Sequence, residues 1–70
     1  HMANFTSAYL RETNLTGADL SEAVLRNANL KGAVLIDANL KGATLEGAKL
    51  EEAQFCKTTM PDGAVNNSGC

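Results

Sequence analysis

The sequence has no tryptophan, one proline (Pro61), one tyrosine (Tyr9) and one histidine, His1. His1-Met2 reads as the remnant of a cleaved purification tag and is set aside. Without it the chain has no imidazole, so the commonest general base and the commonest transition-metal ligand are missing. Two cysteines, Cys56 and Cys70, have no partner ligands for a metal cage. No nucleophile–base pair and no phosphate-binding loop is present, so no catalytic residue, cofactor or metal is expected and the covered chain is not read as an enzyme. Charge of one sign is also scarce. The formal net charge is −2 and there is no basic run, which makes no case for nucleic acid. No apolar stretch approaches a membrane span and no signal-peptide pattern appears, so no membrane partner is expected either. At 70 residues the chain is one small domain, of a size at which a compact globule is marginal.

What the sequence does have is a period of five, plain in "ADLSEAVLRNANLKGAVLIDANLKGATLEGAKL" from Ala18 to Leu50. Let i be the central apolar residue. It falls at Phe5, Leu10, Leu15, Leu20, Leu25, Leu30, Leu35, Leu40, Leu45, Leu50 and Phe55, with Met60 in the next slot. Position i−2 is alanine except at Thr13 and Thr58. A helix advances about 100° per residue, so five residues leave a net turn of about 140° and scatter the leucines around the cylinder. A flat strand fails too, because side chains alternate and five is odd. The conflict vanishes if the chain turns a corner once per repeat. Each repeat is then a short extended side, i−2 to i, with a bend at i+1 and i+2. Gly17, Gly32, Gly42 and Gly47 occupy i+2, where a type II turn wants positive φ. Other corners end in Glu12, Glu22, Asn27 or Glu52, for which a different turn type is expected. Four corners of about 90° close a square of roughly twenty residues, and stacked coils pair as parallel strands about 4.8 Å apart. The i side chains meet at the axis as a core ladder, and the wall at i−2 leaves room for little more than a methyl.

A(D/N)Lxx in tandem resembles the pentapeptide-repeat family, and "ADLSE", "ANLKG" and "ATLEG" match its consensus over about Ala3 to Met60. The resemblance implies an all-β fold, a right-handed quadrilateral β-helix, here of about three coils. The expected organisation is a tag remnant at 1–2, the β-helix at 3–60 and a C-terminal cap at 61–70. The tail "FCKTTMPDGAVNNSGC" is similar to an ending found in cyanobacterial members of the family, some of which lie at the end of longer chains including Ser/Thr protein kinases. The sequence starts directly in a repeat, whereas terminal coils of a solenoid are normally capped. The expectation is therefore an excised C-terminal domain, or a trimmed small protein. An end-to-end dimer through the uncapped first coil is a further expectation.

Pro61-Asp62-Gly63 is a turn signal after the repeat breaks. The segment from Gly63 to Asn67 is expected to fold back, covering the last coil's edge with Phe55 and Met60 beneath it. Cys56 lies at i+1, an outward corner, and fourteen residues separate it from Cys70. Two readings stand. A disulfide would close the cap for about 3 kcal/mol by loop entropy in an oxidising setting. Two free thiols would suit a reduced cytoplasm. Localisation follows the same fork: cytoplasm if kinase-linked, thylakoid lumen or periplasm if exported with the bond formed.

Outward residues stack roughly twenty apart, which pairs Arg26 with Glu46, Lys31 with Glu51 and Asp37 with Lys57 as surface ion pairs of under about 1 kcal/mol each. Tyr9, Val24, Val34 and Ile36 point outward and are the candidate interaction surface, although β-branched residues also suit any exposed sheet. Asn4-Phe5-Thr6, Asn14-Leu15-Thr16 and Asn66-Asn67-Ser68 match a glycosylation triplet, but the repeat generates the first two by itself. The Asn and Asp at i−1 are read as structural. The leading functional reading is a non-catalytic module that docks to a protein partner or a parent domain, a Ser/Thr kinase among the candidates, which it positions or regulates. The alternatives are a topoisomerase-binding DNA mimic and a stand-alone repeat protein. Three coils rising about 14 Å imitate a duplex poorly, and a net charge of −2 is weak for a polyanion.

Overall fold

The computed structural model describes residues 3–70, so the tag reading of His1-Met2 lies outside the described residues. From Asn4 to Asn39, every residue at i−1 pairs in parallel with the residue twenty positions on. The pairings form four columns: Asn4–Val24–Thr44, Tyr9–Asn29–Lys49, Asn14–Val34–Gln54 and Asp19–Asn39–Thr59. Four turns separate each residue from its partner. The chain is a β-helix solenoid, and no helix occurs among the described residues.

The backbone hydrogen bonds explain why five residues make one unit. Asn29 N–H donates to Ala8 C=O at 2.9 Å, and Leu10 N–H donates to Asn29 C=O at 2.8 Å. Glu12 N–H adds a third rung to Lys31 C=O at 2.9 Å, and Ala33 N–H closes its corner on Leu30 C=O at 3.0 Å. These bonds use the N–H of i−2, i−1, i and i+2, and leave over that of i+1. Where i−1 is Asn or Asp, its side chain takes the leftover. Thr6, Thr16, Ser21, Lys31 and Lys41 N–H donate to Oδ1 of Asn4, Asn14, Asp19, Asn29 and Asn39 at 3.0–3.2 Å. The Asx turn so formed is the physical content of the D/N position in the repeat.

The corners differ from expectation. The non-glycine residues at i+2 (Ser7, Glu12, Glu22, Asn27, Asp37, Glu52 and Lys57) take φ of 53–62°, beside 71–75° for Gly17, Gly32, Gly42 and Gly47. These corners are thus left-handed at i+2 with or without glycine, and the turn bond that closes the glycine corners also closes those at Ser7, Glu12, Glu22, Asn27, Asp37 and Glu52, whereas the Cys56–Lys57 corner is a bend without it. The cause is the ladder. Glu22 is gripped by a rung from its own N–H to Lys41 C=O at 2.8 Å and by the turn bond of Ala23 behind it. Such over-determination holds an L-residue in a conformation it disfavours by about 1–2 kcal/mol.

Leu25, Leu30, Leu35 and Leu40 are at most 1% exposed, with Ala23, Ala28, Ala33 and Ala38 in the wall beside them. Leu20 and Ala43 complete the buried set, while Phe5, Leu10, Leu15, Leu45, Phe55 and Met60 are partly buried against it. Leu50 is likewise half-buried. Thr58 replaces alanine at i−2 and is fully buried. Its hydroxyl donates to Leu35 C=O at 2.6 Å and accepts Cys56 N–H at 3.1 Å, so the extra polar atom is satisfied.

Beyond Met60 the chain reverses. Gly63, at φ 87°, donates its N–H to Met60 C=O at 2.8 Å, and Met60 N–H donates to Ala64 C=O at 2.7 Å. The hairpin pairs β1 (Thr58–Thr59) antiparallel with β2 (Val65–Asn66), in register Thr58↔Asn66 and Thr59↔Val65. The arm then crosses the last coil, and Gly69 N–H donates to Phe55 C=O at 2.7 Å. A Cβ on Gly69 would stand 3.1 Å from both the N and the O of Phe55, so glycine permits this approach.

Candidate interaction surface and C-terminal cap

The solenoid sets every outward side chain on one of four columns or at a corner. Tyr9 is 74% exposed and Val65 60%. Val24, Val34 and Ile36 are half-buried, because neighbours one strand spacing above and below lean over them. Tyr9, Val24 and Val34 occupy three different columns, and Ile36 lies at the corner after Val34. The four candidates therefore spread over several sides of the wall and do not gather into one patch. Val65 was not anticipated, since it lies in the arm, where the five-residue rhythm no longer assigns inside and outside.

Of the expected ion pairs, Arg26 Nη1 stands 2.8 Å from Glu46 Oε1, with both side chains more than half exposed. Lys31–Glu51 and Asp37–Lys57 do not close into ion pairs among the described residues. Solvation and rotamer entropy outweigh the weak attraction of an exposed pair. Asp19 accepts the Ser21 hydroxyl at 2.7 Å and the Ser21 N–H at 3.1 Å, and these bonds hold its carboxyl below the usual carboxylate range.

Two open pockets flank Pro61-Asp62. One, of about 570 Å³, lies on the hairpin between Met60 and Asn67. The other, of about 610 Å³, is edged by Asp19, Ser21, Glu22, Asn39, Lys41, Gly42, Pro61 and Asp62. The second mixes one cation with carboxylates and offers no convergent reactive group. Among the described residues no group of three or more His, Cys, Asp or Glu is placed to hold a metal ion. No helix of the described residues is long and apolar enough to cross a membrane.

Cys56 and Cys70 stand at disulfide distance with their Cα atoms 5.0 Å apart, joining the last corner of the wall to the end of the arm. Cys56 is half-buried there rather than fully outward, because the arm lies against it. Beside the bond, Lys57 N–H donates to Asn67 Oδ1 at 2.8 Å.

The profile of pentapeptide repeats, a unit of 8 copies, matches residues 3–42 and again 23–62. The chain belongs to the pentapeptide-repeat family. Among solved structures of the family, it is similar to HetL of the cyanobacterium Nostoc sp. strain PCC 7120, described as involved in heterocyst differentiation regulation. The match has 38% identity and a TM-score of 0.72, and covers 94% of this chain. It is also similar to Rfr23 of the cyanobacterium Cyanothece 51142, at 36% identity and a TM-score of 0.58 over 93% of this chain. The chain spans 33% of the length of the HetL structure and 48% of that of Rfr23. No curated protein matches the sequence. Pentapeptide repeats are in general non-enzymatic structural modules.

Proposed function

We propose that this pentapeptide-repeat chain is a non-catalytic protein-interaction module: a right-handed quadrilateral β-helix of about three coils, with residues 3–60 as the solenoid and 61–70 as its cap. One observation carries the reading. The fold itself uses nearly every backbone polar group and every inward side chain of the middle coils, and what faces out is short, polar or β-branched. Such a wall recognises by shape and edge rather than by chemistry. The involvement of HetL in regulation is consistent with a regulatory docking role. The likeness of the tail to cyanobacterial endings supports attachment to a parent domain, with a Ser/Thr kinase as the parent that the module positions or regulates.

The docking face is the first coil. Phe5, Leu10 and Leu15 there are only partly buried, whereas the opposite end carries the hairpin. In the isolated chain a second copy takes that place, end to end. Light scattering from micromolar to millimolar protein, together with amide spectra, tests this. A rising mass with shifts confined to Phe5, Tyr9, Leu10 and Leu15 is the expected result. A monomer throughout, with no shift at these residues, removes docking through the first coil.

A further inference from the structure

The arm after Met60 is held by little buried surface. Ala64, Val65 and residues 67–70 are exposed, and none of the fully buried apolar residues lies beyond Ala43. Its first half is held by the hairpin bonds of Met60 with Gly63 and Ala64, by the rung from Gly42 N–H to Pro61 C=O at 2.9 Å and by the two-residue pairing of β1 with β2, whereas its end, from Asn67 on, is held to the coil only by the Asn67 contact to Lys57 N–H and the Gly69 contact to Phe55 C=O. The remaining fastening is Cys56–Cys70, placed where the arm ends and with Cys70 exposed to an incoming reagent. The leucine core, by contrast, rests on rungs between coils away from the arm: Leu25 and Leu30 N–H donate to Thr44 and Lys49 C=O at 2.8 Å.

We propose that Cys56–Cys70 is a reducible latch, whose opening by a dithiol frees the arm and uncovers the C-terminal edge of the solenoid while the coils stay folded. A thiolate of the dithiol attacks Sγ of the exposed Cys70, the S–S bond breaks, and Cys56 leaves as a thiolate that takes a proton from water. The second thiol of the reagent then closes on the mixed disulfide and releases Cys70. Two electrons and two protons pass to the protein, and the dithiol becomes a cyclic or protein disulfide. Once the covalent tie is lost, the end of the arm regains its conformational freedom, and the Asn67 and Gly69 contacts alone do not hold it. Lys57 N–H, Phe55 C=O and the outer edge of Thr58–Thr59 then face water. An edge of that kind is a pairing site in one redox state and a sealed one in the other. This inference does not depend on docking through the first coil.

The test is amide hydrogen exchange of the full chain by NMR, oxidised and after dithiothreitol, with Cys56→Ser/Cys70→Ser as a variant that needs no reductant. The expected result is exchange about a hundredfold faster at Lys57 and Gly69, the scale of the loop-entropy term, with Leu25 and Leu30 unchanged. Equal acceleration at the leucines, or failure of the variant to fold, overturns the proposal, since the bond is then a staple of the whole solenoid. Unchanged exchange at Lys57 and Gly69 overturns it too, since hydrogen bonds alone then hold the arm. A native disulfide that dithiothreitol does not reduce without denaturant has the same consequence.

Discussion

The middle of the solenoid and the C-terminal arm are both built from short extended pieces, yet different forces hold them. Between Leu20 and Ala43 every inward side chain is buried, and each coil is bonded to the coil above and the coil below. Burial of each leucine there contributes about 1.5–3 kcal/mol. The arm buries no large apolar side chain. It is positioned by a two-residue ladder, an asparagine side chain, one close glycine approach and a covalent bond. A repeat draws its stability from neighbours stacked on both sides. A cap has one neighbour and must take its hold from specific contacts.

The sharpest way to break this contrast is to cut one side chain from each region. Leu35→Ala removes a fully buried side chain with coils packed above and below it, and is expected to lower stability by about 3–4 kcal/mol. Val65→Ala, in the arm, is expected to stay within about 0.5 kcal/mol. Urea unfolding midpoints at constant slope check both. If the two losses were comparable, the arm would share the core and the distinction would fail.

The corners offer a test of opposite signs. Gly42→Ala places a Cβ at φ 75°, 3.1 Å from Cγ of Glu22, and should cost about 1 kcal/mol. Glu22→Gly relieves a left-handed glutamate in the same corner stack and should gain about 0.5 kcal/mol, net of the extra freedom of the unfolded chain. Calorimetry on the pair decides whether the ladder imposes the corner conformation or the residue selects it. Within the arm, Cys56→Ser/Cys70→Ser should lower the global unfolding free energy by less than about 1 kcal/mol. The full loop-entropy figure of about 3 kcal/mol would apply only to an arm that stayed fixed after the bond was gone.

The solenoid was legible in the sequence because its rule is arithmetic. An odd period excludes a flat strand, and four corners per coil place residue 24 over residue 4 and residue 29 over residue 9. The corners at Glu12 and Glu22 were not legible, because intrinsic preference argues against positive φ for glutamate and only the assembled ladder overrides it. The pairing of Thr58–Thr59 with Val65–Asn66 is too short to carry an alternation signal, although Pro61-Asp62-Gly63 marked the reversal. The candidate surface was read through exposure alone. Of the side chains it names, Tyr9 is exposed and Val24, Val34 and Ile36 are half-buried under stacked neighbours, while the exposed Val65 lies in the part of the chain without rhythm.

The smallest effect concerns the polar brace on the wall. Asp19 takes the place of asparagine in the Asx turn, and its carboxylate accepts first the Ser21 hydroxyl and then the Ser21 N–H, so the folded state lowers its pKa. A carboxyl lowered in the folded state stabilises fully above its unfolded pKa, and that contribution is lost as pH falls through the folded value. Asn4 and Asn14 make the same brace with Thr6 and Thr16 without a charge, so their corners are indifferent to this titration. A carbon-detected titration should show Asp19 titrating below an ordinary aspartate, and Ser21→Ala should bring it back up. If Ser21→Ala leaves the Asp19 midpoint where it was, the hydroxyl is not what holds the carboxylate at that corner.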